Sequence, residues 1–240
     1  MLRKNGPILV LAWTSGCLDA LGFLELGRVF TANMTGNTVL FGMAIAQGNW
    51  LAMLRSLIAL VGFSLGVLLG TFLIRHNYEQ HEQDWTPQLT RALVAEACLL
   101  LLFGLIWAFI LRVPQRGLVD NLLIALSALA MGLQSTTILS LGIPGISTTY
   151  ISGTITTLMA NLARRLARHV DTPVVITPIA TIQVERQKPT RLIAVWLIYI
   201  VAAIIGGYGA LHFAPLVAFL PFVAVVAAIA MHYMPSNAGS

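Results

Sequence analysis

Most charged residues of this chain sit in short segments, and between those segments lie apolar runs as long as the hydrocarbon core of a bilayer is thick. Six runs reach that length: Pro7–Leu26, Leu51–Ile74, Ala92–Leu111, Leu118–Leu141, Leu192–Leu211 and Phe213–Met234. Two shorter ones, Thr31–Gln47 and Thr148–Leu162, open with hydroxyl, amide and glycine residues. Runs of about 20 residues fit a helix rising 1.5 Å per residue across that core. Lipid offers the backbone no hydrogen-bond partners, so such runs must be helices. With 58% apolar and only 10% charged residues, the chain cannot build a water-soluble surface, which ordinarily takes about 25% charged residues. The expected fold is an all-α polytopic membrane protein of six long transmembrane helices and two short broken or half-helices.

Several simpler readings fall away. Arg3 and Lys4 precede an apolar stretch as in a signal peptide, but five later runs make the class independent of that. Thr14-Ser15-Gly16-Cys17 has a lipoprotein-like spacing with Thr14 where a larger aliphatic residue belongs. Cys17 and Cys98 both lie in apolar runs, where a thiol behaves as a small hydrophobe, so neither a disulfide nor a metal framework is expected. The loop residues His76, Glu79, His81, Glu82 and Asp84 mix signs as a solvated connection does. A formal charge of +5 points to loops held at a cytoplasmic face rather than to nucleic acid. No cofactor is implied. Neither HExxH nor Gly-x-Ser-x-Gly is present, so no enzymatic activity is expected.

The second half of the chain repeats the first. Gly16-Cys17-Leu18-Asp19 through Gly27 falls without a gap on Met131-Gly132-Leu133-Gln134 through Gly142. With two residues added, Thr31-Ala32-Asn33-Met34-Thr35-Gly36-Asn37 then falls on Thr148-Thr149-Tyr150-Ile151-Ser152-Gly153-Thr154. Each half reads long, short, long, long. Gly62, Gly66 and Gly70 in one correspond to Ala202, Gly206 and Ala210 in the other, a small-residue spacing that lets helix backbones approach in lipid. The expected organisation is a single membrane domain over 1–240, with repeat A over 7–112 and repeat B over 118–234.

Gly16-Cys17-Leu18-Asp19-Ala20-Leu21-Gly22-Phe23 and, more specifically, Phe30-Thr31-Ala32-Asn33-Met34-Thr35-Gly36-Asn37 resemble the bacterial YoaK family of small multi-pass membrane proteins. The resemblance extends over most of the chain. It implies a location in the bacterial inner membrane and brings no substrate with it.

Topology depends on whether the short elements cross the bilayer. If all eight elements cross from a cytoplasmic N-terminus, eleven of the fourteen basic residues lie inside; if the short elements are re-entrant, ten do. Crossing is slightly favoured, because Arg28–Asn33 extended plus a half-helix has the reach. Polar groups at membrane depth mark the candidate site, since an ionisable group there must face protein or water. Asp19 is the acid well inside the first run, and Gln134 is its counterpart. Asn33, Thr35, Gly36 and Asn37, with Tyr150, Ser152, Gly153 and Thr154, form two matching motifs able to start a helix or receive a polar solute. Glu25 and Arg28 are expected to pair with each other, and Glu96 to reach the interface. The preferred function is a transporter or channel for a small polar or anionic solute moving between the repeats, with the lipid bilayer and that solute as partners and a homo-oligomer left open. A membrane-embedded assembly or regulatory subunit is the alternative.

Overall fold

The computed structural model describes residues 2–74, 85–110, 117–141, 155, 156, 159 and 189–233. Their helices are α1 (Leu2–Glu25), α2 (Met34–Ala46), α3 (Trp50–Ile74), α4 (Pro87–Ile110), α5 (Gly117–Ser140), α6 (Pro189–His212), α7 (Ala214–Val217) and α8 (Leu220–Tyr233). No strand occurs among the described residues. Among the described residues six segments are long and apolar enough to span, α7 and α8 together forming the last. That last run is interrupted at Ala218 and Phe219, because Pro221 has no N–H to donate to the Val217 carbonyl. The chain is therefore an all-α polytopic membrane protein. Of the two short elements, α2 is described; the other lies outside the described residues except for helical Ile155, Thr156 and Met159.

Helix directions follow from which residues meet. On α3 and α5, Gly62 lies against Ala125, Gly66 against Leu129 and Gly132, and Gly70 against Thr136, so these helices run parallel. A Cβ on Gly66 would collide with the Leu129 carbonyl, and one on Gly132 with the Phe63 carbonyl. Such backbone contact is available only to glycine and lets dispersion and weak hydrogen bonds hold helices that lipid does not drive together. α1 and α6 are parallel in the same way, with Gly16 on Tyr199 and Ala202 and Gly206 on Cys17. α4 and α8 are antiparallel: Thr90 and Tyr233 share a hydrogen bond at one end, and Trp107 Nε1 donates to the Ala214 carbonyl at the other.

These contacts settle how α2 lies. Gly27 (φ +88°) and Arg28 (φ +63°) both adopt left-handed backbone after α1 and reverse the chain. The returning segment packs back along α1, with Val29 and Thr31 against Gly22 and Phe23 stacked on Phe30 at 5.1 Å. It reaches the level of Asp19, six residues or about 9 Å inside the end of α1, and there α2 begins. α2 then leads, through Gly48 at φ +66°, to α3, whose Arg55 lies over Gly27 and pairs with Asp120 of α5 at 3.1 Å. The end of α1 and the starts of α3 and α5 thus share one face of the bundle. α2 is re-entrant, and the crossing favoured from sequence is incorrect. The residues between the spans turn back instead of extending, because left-handed Gly27 and Arg28 redirect them. A consequence is that α1 and α5, matched in sequence, run antiparallel.

Two measurements check this frame. In a background without Cys17 and Cys98, single cysteines at Gly48 and Gly117 are expected to be labelled from one side of the membrane and one at Thr86 from the other; Gly48 labelling together with Thr86 would show that α2 crosses. Gly66→Leu should lower thermal stability by an amount corresponding to about 3 kcal/mol, the upper end for overpacking, whereas Leu65→Ile, at an exposed position on the same helix, should change little.

Candidate functional site

Asp19 is placed on α1 two turns before the helix ends, and its carboxylate is 4% exposed. Oδ1 accepts the backbone N–H of Thr31 at 2.8 Å and of Ala32 at 2.7 Å, with the Thr31 hydroxyl at 3.4 Å. Oδ2 accepts the hydroxyl of Tyr199 on α6 at 2.6 Å. Hydrogen bonds to a charged acceptor contribute roughly 1.5–3 kcal/mol each. They are needed, because Thr31 and Ala32 lie in non-helical backbone whose N–H groups would otherwise point into an apolar interior.

The Asn33-Met34-Thr35-Gly36-Asn37 string is the start of α2. Asn33 Oδ1 accepts the Gly36 N–H at 3.1 Å, an ordinary N-cap. Asn37, fully buried, closes a ring with Phe30: its Oδ1 accepts the Phe30 N–H at 2.9 Å, and its Nδ2 donates to the Phe30 carbonyl at 2.6 Å. Gly36 is glycine because the Phe30 ring lies where a Cβ would be, 2.8 Å away. Thr35 is exposed. Asp19, Asn33, Gly36 and Asn37 therefore come together around one reversal of the chain. Asp19 binds its backbone rather than the side chains of Asn33, Thr35 or Asn37.

Gln134 stands on α5, buried against α1. Its Nε2 donates to Ser15 Oγ at 2.7 Å and to the Leu11 carbonyl at 3.0 Å. Ser15 and Asp19 are one turn apart on α1; Ser15 meets Gln134 of α5, whereas Asp19 meets Tyr199 of α6 and the backbone after α1. Tyr150, Ser152, Gly153 and Thr154 lie outside the described residues.

Sequence reasoning missed three groups. Tyr199 is 180 positions from Asp19, and nothing local marks it. Arg55 and Asp120 form a largely buried ion pair at the face where α3 and α5 begin. Glu96, expected at the interface, is fully buried near the middle of α4, and neither carboxylate oxygen has a hydrogen-bond partner. The expected pairing of Glu25 with Arg28 is absent among the described residues, where the ion pair is Arg55 with Asp120. No cluster of metal ligands occurs among the described residues.

Six spans, a re-entrant helix start and a buried polar seam define a multi-pass membrane protein with irregular backbone at membrane depth. Residues 8–232 match the family described as Protein of unknown function (DUF1275), and the chain belongs to that family. It is 37% identical over 163 residues to the UPF0700 transmembrane protein YoaK of Bacillus subtilis (strain 168), covering 68% of this chain and 69% of that protein. No solved structure gives a significant match. The likeness to YoaK expected from the Asn-Met-Thr-Gly-Asn string is thereby shown.

The Phe30–Asn37 ring gives a stability test. Asn37→Ala leaves a backbone N–H and C=O of Phe30 without partners and should cost about 2–4 kcal/mol, summing two buried groups at about 1–3 each less partial relaxation. Thr35→Ala, at an exposed position, should stay within about 0.5 kcal/mol by thermal unfolding in detergent.

Proposed function

We propose that the chain is a membrane transporter or channel for a small polar or anionic solute, working between two internal repeats of opposite orientation. The observation that carries this reading is the antiparallel pair α1 and α5, joined by the buried Ser15–Gln134 hydrogen bond, with buried Asp19 one turn from Ser15 on α1. Packing follows the same exchange of halves. α1 packs on α6 and α8, while α5 packs on α3 and α4, so the first helix of each half lies on the third and last helices of the other. A duplicated four-element unit accounts for that pattern. Inverted repeats with broken helices meeting at mid-depth are the architecture in which alternating access arises from rocking one half against the other.

The bacterial inner membrane is the expected location. With α2 re-entrant, counting along the sequence places ten of the fourteen basic residues on the face from which α1 starts, which supports a cytoplasmic assignment for that face. An assembly or regulatory subunit is less well supported, because the Gly62, Gly66 and Gly70 face that would receive a partner helix is occupied by α5 of the same chain. No enzymatic role is proposed.

Purified protein screened by thermal shift against small anions, amino acids and sugars should be stabilised by one of these classes, by about 2.7 kcal/mol at a hundred times its Kd. The same solute should cross proteoliposome membranes. Asp19→Asn is expected to abolish both effects and Glu25→Gln to leave both intact. Flux unchanged in Asp19→Asn would remove Asp19 from the site, and neither stabilisation nor flux with any class would overturn the transport reading.

A further inference from the structure

The face that α4 turns into the bundle is a continuous stripe at helical spacing: Leu89, Ala92, Leu93, Glu96, Ala97, Leu100, Phe103 and Trp107. All but Glu96 are apolar side chains, Trp107 using its one N–H on the Ala214 carbonyl. Glu96 occupies the tenth of 24 positions in α4, close to mid-span, and is 0% exposed. It differs from Asp19 in its hydrogen bonding. Asp19 receives four hydrogen bonds, whereas both oxygens of Glu96 lack any partner.

Charged and titratable groups on the neighbouring elements do not change this. On α3, Arg55 is engaged by Asp120 of α5. α7 carries no ionisable side chain. On α8, His232 stacks on Trp85 at 4.8 Å and Tyr233 bonds Thr90, both at the start of α4 and more than a turn from Glu96. Within α4, Arg91 is exposed. A carboxylate in such surroundings has neither a countercharge nor a donor, so the neutral acid is the form the site tolerates. No cluster of metal ligands accompanies Glu96 among the described residues.

We propose that Glu96 is an intramembrane proton site, holding a proton in this conformation and exchanging it with water when α4 separates from α5 or α8. The ligand is the proton itself. Its use as a coupling ion rests on the transport reading; its protonation does not, which makes the two separable.

Infrared spectroscopy of the protein in lipid bilayers at neutral pH tests the proposal without any transported solute. Wild type should show a protonated-carboxyl C=O band that is absent in Glu96→Gln and displaced in Glu96→Asp, the second variant serving if the first does not fold. On transfer to D2O the band should shift completely, in step with opening of the bundle rather than with global unfolding. Absence of a Glu96-dependent band would mean that the group is ionised, and a band that never shifts would mean a sealed structural acid; either overturns the proposal. If transport is found, Glu96→Gln should flatten its pH dependence. If the band and its exchange are found without any flux, the proton site stands and the transport reading fails.

Discussion

Two costs meet at Asp19, and each cancels much of the other. An ionisable carboxyl in hydrocarbon is unfavourable by several kcal/mol, and so is a stretch of non-helical backbone with unpaired N–H groups at the same depth. Here the carboxylate accepts the N–H groups of Thr31 and Ala32 and the hydroxyl of Tyr199. With those bonds the chain can leave the helix inside the bilayer, turn α2 around and bring it back to the face it came from. Without them the segment after Gly27 would have little reason to return along α1. The re-entrant element, the six-span topology and the opposite directions of α1 and α5 all depend on this arrangement.

The second dependence is on absent side chains. Lipid tails are as apolar as leucine, so burial alone does not assemble helices in a membrane. α3 presents exposed leucines outward and glycines inward, and at Gly66 its backbone touches that of α5 through Gly132. On the other side Gly206 meets Cys17 in the same fashion. The polar seam lies between these two close-packed pairs. The bundle is thus held by backbone contact at two seams and by side-chain hydrogen bonds at a third.

The spans were legible because their lengths match the hydrocarbon thickness, and nothing else in a sequence imitates six such runs. The cap at Asn33 was legible too, since amide and glycine residues at a helix start have local reasons to be there. The direction of α2 was not. Eleven against ten inward basic residues is no discrimination, and the reversal lies in the left-handed backbone of Gly27 and Arg28, of which only the glycine leaves a trace in sequence. Glu96 was misplaced for a geometric reason. The apolar run starts at Ala92, whereas the helix starts at Pro87, and five residues move the acid more than a turn deeper. Tyr199 was invisible because a tyrosine in an apolar run looks like any amphipathic side chain until its partner on another helix is known.

On the proposed repeat, the inequality between the half-sites becomes the most informative feature. Asp19 corresponds to Gln134, and the register that matches Gly66 with Gly206 places Ala59 opposite Tyr199. One contact between the halves therefore joins a carboxyl to a phenol, while another joins a neutral amide to Ser15 and Leu11 on the facing helix. If the two halves were chemically identical, exchanging their conformations would give inward and outward states of equal free energy. A ligand would then have to supply the whole bias between them. The Asp19–Tyr199 pair breaks that degeneracy by an amount on the order of a few kcal/mol, the scale of a charge-assisted hydrogen bond in a protected site. On the proposed transport cycle it would select the orientation in which α2 is held against α1 and α6. A solute or proton that weakens this clamp needs only to offset that difference to populate the other state. On the proposed duplication and transport cycle, the divergence between the two halves would serve that bias.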